Sequence, residues 1–350
     1  MRSARAACCG SARGDWHHFA RAVTLGSMTT LGRDCDGGGA TLARTGIVVV
    51  NYGSSALLIQ NLTPVSTHTP EATCFVVDNF TSIDEQAQVA RICAERGWTP
   101  ILLSENSGFG EGVNAGARVA EDAGVSLLVV LNPDATIDRE SLRRLVSAVD
   151  EDLNLMVSPV VRWPDGRTWF NGSDLYLSDG RMGNPRRRAD RPDDRYLEWL
   201  TGACFALSMD LWRRVGGFDN DYFLYWEDVE LSYRAVEAGG RLLVDQAAVA
   251  VHDEGGTHPG RKPGRAKTEL YYYYNIRNRL VFAAKNIDDP ALDKWLSETL
   301  RVSYEILLQG GRRQFLRPVA PLRALVRGIR DGRRFVSERR ARSPVVDPPT

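Results

Sequence analysis

Long apolar runs are missing from this 350-residue chain: even Leu127–Leu131, among its longest, falls far short of the roughly 20 residues a bilayer-crossing helix needs. A membrane-spanning helix is therefore not expected. Cysteine is sparse as well, and Cys8, Cys9, Cys35, Cys74, Cys93 and Cys204 form neither a CxxC pair nor a zinc spacing with the five histidines. Six such thiols in a chain this long read as reduced cysteines of a cytoplasmic protein, without a disulfide framework. Residues 1–44 contain no apolar block of signal-peptide length, so secretion is not indicated, and Met28 is a candidate true start. Net charge is also absent overall, yet unevenly: residues 1–44 carry +3, residues 45–311 carry −11 and residues 312–343 carry +9. An acidic body makes a poor nucleic-acid surface, and no nucleic-acid partner is expected. The Arg-rich tail suits either anionic lipid headgroups or plain solvation.

What the chain does have is 43% hydrophobic and 25% charged residues, the balance of an ordinary globular protein. From residue 46, short apolar runs at 47–50, 74–77, 101–103 and Leu127–Leu131 start 26 to 27 residues apart. That interval holds a strand, a crossover helix and two loops, predicting four parallel strands covered on both faces. A helix is expected over about 138–149, a loop-rich section over 161–196, and a helix over about 228–238 closed by Gly239-Gly240. A strand-like run follows at 242–251. From Glu269 onward, helical spacing of Tyr, Leu and Arg predicts two or three amphipathic helices broken by Gly310-Gly311, Pro318 and Pro321.

Ligands of a parallel sheet bind beyond the carboxyl ends of its strands. There the sequence reads Asn51-Tyr52-Gly53, Asp78-Asn79, Ser104-Glu105-Asn106 and Asn132-Pro133-Asp134. Tyr52 offers a face for a base. Asp78 offers an acceptor for an imide N–H, which favours uracil or thymine over adenine, although a turn or helix cap explains Asp78-Asn79 about as well. The glycine-rich stretch at 108–116 leads into a helix expected to reach Asp122. Its small residues let backbone approach a ligand, and Asn114 is placed to bond a ribose or phosphate. It follows the third strand, not the first, and lacks the Lys-Ser/Thr of a phosphate loop, which disfavours dehydrogenases and nucleoside triphosphatases. Asp134, fixed by Pro133, can ligate a cation bridging two phosphates or simply end a strand. Glu227 and Asp228 lie among Tyr222, Phe223, Tyr225 and Trp226. They either complement a helix dipole or form a desolvated base. His252, at another strand end, is a structural histidine or a metal ligand.

Taken together these residues resemble the family 2 glycosyltransferases of the GT-A fold, an α/β architecture with a mostly parallel, helix-flanked sheet. Bacterial rhamnosyltransferases and galactofuranosyltransferases are the nearest subgroup. The matched pieces are Val48-Val49-Val50-Asn51-Tyr52, Val76-Val77-Asp78-Asn79, residues 106–116, Leu131-Asn132-Pro133-Asp134, Trp199-Leu200-Thr201-Gly202-Ala203, Gly216-Gly217-Phe218-Asp219, Trp226-Glu227-Asp228-Val229-Glu230, His252 and Arg277-Asn278. The resemblance implies a glycosyltransferase domain over 46–265; the composition adds a C-terminal amphipathic helical region over 266–340, a disordered or mis-annotated segment over 1–45 and a disordered tail over 341–350. The resemblance gives Tyr52, Asp78, Asn114, Asn132 and Gly202 to the nucleotide sugar, Asp134 and His252 to Mg²⁺ or Mn²⁺, and Asp228 with Glu227 to catalysis. Asn132 replaces the first Asp of the family's D-x-D motif. Inverting transfer from a nucleotide-diphosphate sugar, dTDP-rhamnose or a UDP-sugar, to a saccharide or lipid-linked acceptor in envelope polysaccharide synthesis is the implied activity; separately, the basic, aromatic C-terminal region, with Tyr271 to Tyr274, Arg277, Arg279 and the later arginines, suits peripheral contact at the inner membrane face. A sugar nucleotidyltransferase or a non-catalytic nucleotide-sugar sensor are the rivals. The former would need a basic triphosphate loop after the first strand, where Asn51-Tyr52-Gly53-Ser54-Ser55 holds no cation.

Overall fold

The computed structural model describes residues 37–253, 267–316 and 318–342, which belong to one compact unit starting at Gly37. Expectations about residues 1–36, the Met28 start, Glu254-Gly255-Gly256 and the tail from 343 lie outside the described residues. After a short helix α1 (Gly37–Leu42), the four apolar runs become β1 (Thr45–Asn51), β2 (Thr73–Asp78), β3 (Thr99–Leu102) and β4 (Leu127–Leu131). They pair in parallel in the order β3-β2-β1-β4. Helices α2 (Ser55–Leu57), α3 (Thr63–His68), α4 (Ile83–Arg96) and α5 (Phe109–Asp122) make the crossovers, with one π-wound turn at Leu58–Leu62.

β1 is buried on both faces, and its alternation divides two cores. Ile47 and Val49 pack with Val89 and Ile92 of α4, whereas Val48 and Val50 pack with Val113 and Ala117 of α5. The α5 glycines serve that packing: a Cβ on Gly116 would lie 2.5 Å from Val48, and one on Gly112 2.9 Å from Val50. These glycines thus admit the sheet to the helix, where the sequence suggested a ligand approach.

Beyond β4 the sheet becomes mixed. β5 (Ala135–Ile137), α6 (Arg139–Glu151) and β6 (Leu155–Arg162) lead into 161–196, the section expected to be loop-rich. It instead contains β7 (Thr168–Phe170), β8 (Ser173–Tyr176), β9 (Met182–Gly183) and a 3₁₀ turn, and closes with β10 (Tyr196–Trp199). The last three of those strands form a separate antiparallel sheet in the order β10-β8-β9. β11 (Cys204–Ser208) returns antiparallel to β4, α7 (Met209–Val215) and α8 (Glu227–Glu237) follow, and β12 (Arg241–His252) runs parallel to β6. Because β11 opposes both β4 and β6, the carboxyl ends of β1, β2, β4 and β12 and the entry to β11 all meet at one edge.

The C-terminal region holds four α-helices among the described residues rather than two or three: α9 (Glu269–Asn286), α10 (Asp289–Ser297), α11 (Thr299–Leu308) and α12 (Val319–Arg342). Pro321 does not interrupt α12. It sits in the first turn, where backbone N–H groups have no intrahelical partner to lose. No helix among the described residues is long and apolar enough to cross a membrane.

Candidate active site

The strand edge assembles its side chains through short, local hydrogen bonds. Asn51 and Asp78 are register partners on β1 and β2, both fully buried, and Asn51 Nδ2 donates to Asp78 Oδ1 at 3.1 Å. The same amide donates to Glu85 Oε1 at 3.1 Å, and Glu85 also accepts from the Ser55 backbone N–H at 2.7 Å. Ser82 and Glu85 have the spacing of a capping box, and Ser82 does cap α4, but the Glu85 carboxylate reaches across to the strand end. Asp78 Oδ2 is buried without a hydrogen-bond partner. Burial raises the Asp78 carboxyl above its ordinary value, an effect the Asn51 hydrogen bond partly offsets. Next to this buried acceptor, Tyr52 leaves β1 half exposed. Asn79 organises the neighbouring loop, donating to Asn106 Oδ1 and the Gly108 carbonyl at 3.0 Å each.

At the β4 end, Asp134 and His252 are 7% and 4% exposed, and Asp134 Oδ1 lies 3.0 Å from His252 Nε2. Trp169 packs edge-on against the imidazole, ring centroids 4.6 Å apart. A carboxylate oxygen and an imidazole nitrogen, both buried, are donor types that Mg²⁺ or Mn²⁺ accepts, so Asp134 and His252 would hold such a cation together with ligands from a bound phosphate and water. No group of three or more His, Cys, Asp or Glu suited to a metal occurs among the described residues. Asn132 sits beside them, its backbone N–H bonded to the Ala203 carbonyl at 2.9 Å.

The third group comes from α8. Asp228 Oδ2 accepts from the Gly202 N–H at 3.0 Å and Oδ1 from the Val229 N–H at 2.9 Å. Burial pushes Asp228 up to about 6, although both N–H groups pull it down. Glu227, 6% exposed with Oε2 unpartnered, is raised well above the usual carboxylate range by burial and by the Asp228 charge. Burial and mutual repulsion thus raise both carboxyls of the pair, the direction that makes a carboxylate a stronger base.

The Gly202 bond links Asp228 to the strand edge, since Ala203 in turn bonds Asn132, two residues before Asp134. With the edge and the carboxylate pair thus joined, comparison with known proteins is decisive: the profile of Glycosyl transferase family 2 matches residues 46–216. Residues 46–216 form a family 2 glycosyltransferase domain. It is similar to the low-salt glycan biosynthesis hexosyltransferase Agl10 of Haloferax volcanii, 24% identical over 261 residues that cover 73% of this chain and 80% of the relative. It is also similar to the N-acetylglucosaminyl-diphospho-decaprenol L-rhamnosyltransferase of Mycobacterium tuberculosis, 28% identical over 243 residues, 62% of this chain and 78% of the relative. Among solved structures, GalNAc-T7 with UDP, GalNAc and Mn²⁺ shares the fold at TM-score 0.50 and 15% identity, over 77% of this chain and 57% of that one.

Two sequence candidates of this glycosyltransferase turn out to be occupied by its own backbone. Asn114 Oδ1 accepts from the Phe218 N–H at 2.8 Å while Nδ2 donates to the Phe218 carbonyl at 2.9 Å, so its amide ties α5 to the Gly216-Gly217-Phe218 turn. It lines a hollow of about 400 Å³ with Glu111, Arg118 and Trp212, which Asp78, Asp134, Asp228 and His252 do not reach. The Gly202 N–H is likewise spent on Asp228. Glu85 is missed by the sequence reading, and Asn278 is matched there without a role, because each acts on a partner far along the chain.

Proposed function

We propose that this glycosyltransferase carries out inverting transfer of a sugar from a pyrimidine nucleotide diphosphate, dTDP-rhamnose or a UDP-sugar, to a hydroxyl of a saccharide or lipid-linked acceptor in cell-envelope glycan assembly. The named activities of its relatives support that class. The observation that carries the mechanism is Asp228, raised to about 6 and held by the Gly202 N–H at the strand edge. Asp78 Oδ2 accepts the imide N–H of the base, and Tyr52 covers the ring. Asp228 accepts the proton of the acceptor hydroxyl as that oxygen forms its bond to the anomeric carbon and the nucleoside diphosphate departs with the bonding pair. Glu227, buried beside Asp228, disfavours a second negative charge next to the attacking oxygen. Asp134 and His252 would hold a divalent cation, whose contribution when bound is to neutralise charge on the departing diphosphate. Residues 46–265 bear this chemistry.

The helices of 266–340 are proposed to meet the cytoplasmic membrane face. Leu316, Val319, Leu322 and Val326 are exposed along one edge, flanked by Arg323 and Arg327, the pattern of an interfacial amphipathic helix. Substituting Leu322→Asp with Val326→Asp should abolish sedimentation with anionic vesicles, and undiminished sedimentation refutes the contact.

Acceptor-dependent release of nucleoside diphosphate from a panel of UDP- and dTDP-sugars, with and without Mn²⁺, tests the function. Asp228→Asn should lower kcat by about 10²–10⁴-fold with donor Kd unchanged. Wild-type turnover in that variant removes Asp228 as the base.

A further inference from the structure

Trp226 and Tyr225, the two residues immediately before Glu227 and Asp228, have φ of +73° and +63°, left-handed conformations that bulky L residues avoid. No side-chain cap hydrogen bond is made at the start of α8. The Phe109 N–H of α5 bonds the Phe223 carbonyl at 3.0 Å, and a further restraint comes from α9, more than fifty residues later. Asn278 is fully buried there, and its Nδ2 donates both hydrogens to the turn, to the Leu224 carbonyl at 3.0 Å and the Tyr225 carbonyl at 2.8 Å. Arg277 Nη1 donates to Asn278 Oδ1 at 2.6 Å and to the Asp221 carbonyl at 2.8 Å, fixing which way the amide faces. Turned over, Asn278 would set an oxygen against two carbonyl oxygens. Lys285 reaches Asp219 Oδ2 at 2.5 Å, and Phe282 packs on Trp226 with ring centroids 5.7 Å apart. α9 therefore holds the lead-in to the carboxylate pair at several points.

We infer that Asn278 is a positioning residue: its amide clamps the left-handed turn at Tyr225 and Trp226 and thereby aims the Asp228 carboxylate at the acceptor oxygen. The inference rests on the reading of Asp228 as the base. Releasing the clamp lets the strained peptides relax toward ordinary φ. That relaxation rotates the first turn of α8 and moves the carboxylate away from the position set by the Gly202 N–H, while the strand edge that grips the donor stays in place.

The test is steady-state kinetics on folded full-length protein, with circular dichroism and melting recorded for every variant. Asn278→Ala should lower kcat by about 10²-fold, the loss expected when a reacting group is displaced by about an ångström, and leave the donor KM unchanged. Asn278→Ser, which retains one donor, should lose about tenfold and decides the matter if the alanine variant does not fold. Adding Tyr225→Gly, which accepts a positive φ without help, should restore most of the lost kcat. A purely structural asparagine would lower the melting temperature and leave turnover per folded molecule alone. Wild-type kcat in either folded variant overturns the inference, as does a loss that Tyr225→Gly fails to restore. Asp228→Asn measured in parallel separates the two ideas: if it retains turnover, the base assignment has failed and not the clamp.

Discussion

The strand edge and the carboxylate pair are positioned by opposite means. Asp78, Asn51 and His252 end strands of a buried sheet and Asp134 immediately precedes one, so that Asn51 pairs with its register neighbour Asp78 and Asp134 with His252 on the adjoining strand. Glu227 and Asp228 start a helix after a strained turn, and their placement is borrowed from Gly202 and Asn278, 26 and 50 residues away from Asp228. A binding surface can rest on a rigid scaffold, whereas a reacting group placed by distant contacts can be displaced without unfolding that scaffold. Substitutions on the two sides should consequently separate donor binding from turnover.

The largest effect expected on the binding side is Asp78→Ala. Loss of a charged acceptor should weaken pyrimidine nucleotide binding by about 10–150-fold while leaving kcat intact, readable as a KM increase in initial rates or directly by calorimetry. A drop in kcat at unchanged KM would erase the distinction between the regions. A second contrast lies in the small β10-β8-β9 sheet, whose support is ionic. Fully buried Asp174 accepts from Arg188 Nη2 at 2.7 Å and Nε at 2.8 Å, and Arg188 stacks 4.3 Å from the Tyr196 ring centre. Arg188→Ala strands a buried carboxylate and should cost about 3–5 kcal/mol in denaturant unfolding, a loss far too large for a surface pair.

The smallest effect sharpens the view of the carboxylate pair. A carboxyl raised in the folded state is destabilising once it must ionise, so Glu227 detracts from stability as pH climbs from the ordinary carboxyl range towards its folded value. Glu227→Gln should therefore raise the melting temperature by about 2 °C at pH 7.5, and the gain should vanish near pH 4. A gain that is equal at both pH values would show that ionisation is not its source.

The same contrast explains what could be read from the residues alone. β1 to β4 were legible because each is a short apolar run at a regular interval, and Leu127–Leu131 was placed to the residue. Asp78, Asp134 and His252 follow from that, as residues where such runs stop. The section from 161 to 196 was not legible, since β8, β9 and β10 are two to four residues long and bury a charge, Asp174, where a strand pattern expects an apolar side chain. Asn114 looked like a ligand group because the sequence cannot reveal that its amide faces Phe218, 104 residues on. The role of Asn278 is hidden for the same reason, for it depends on the sign of two φ angles on another element.

The dependence of kcat on pH under saturating donor and acceptor tests the central claim most directly. With Asp228 as a base raised to about 6, turnover should climb tenfold per pH unit below that value and level off above it. A rate that stays constant from pH 4.5 to 7.5 would contradict the assignment.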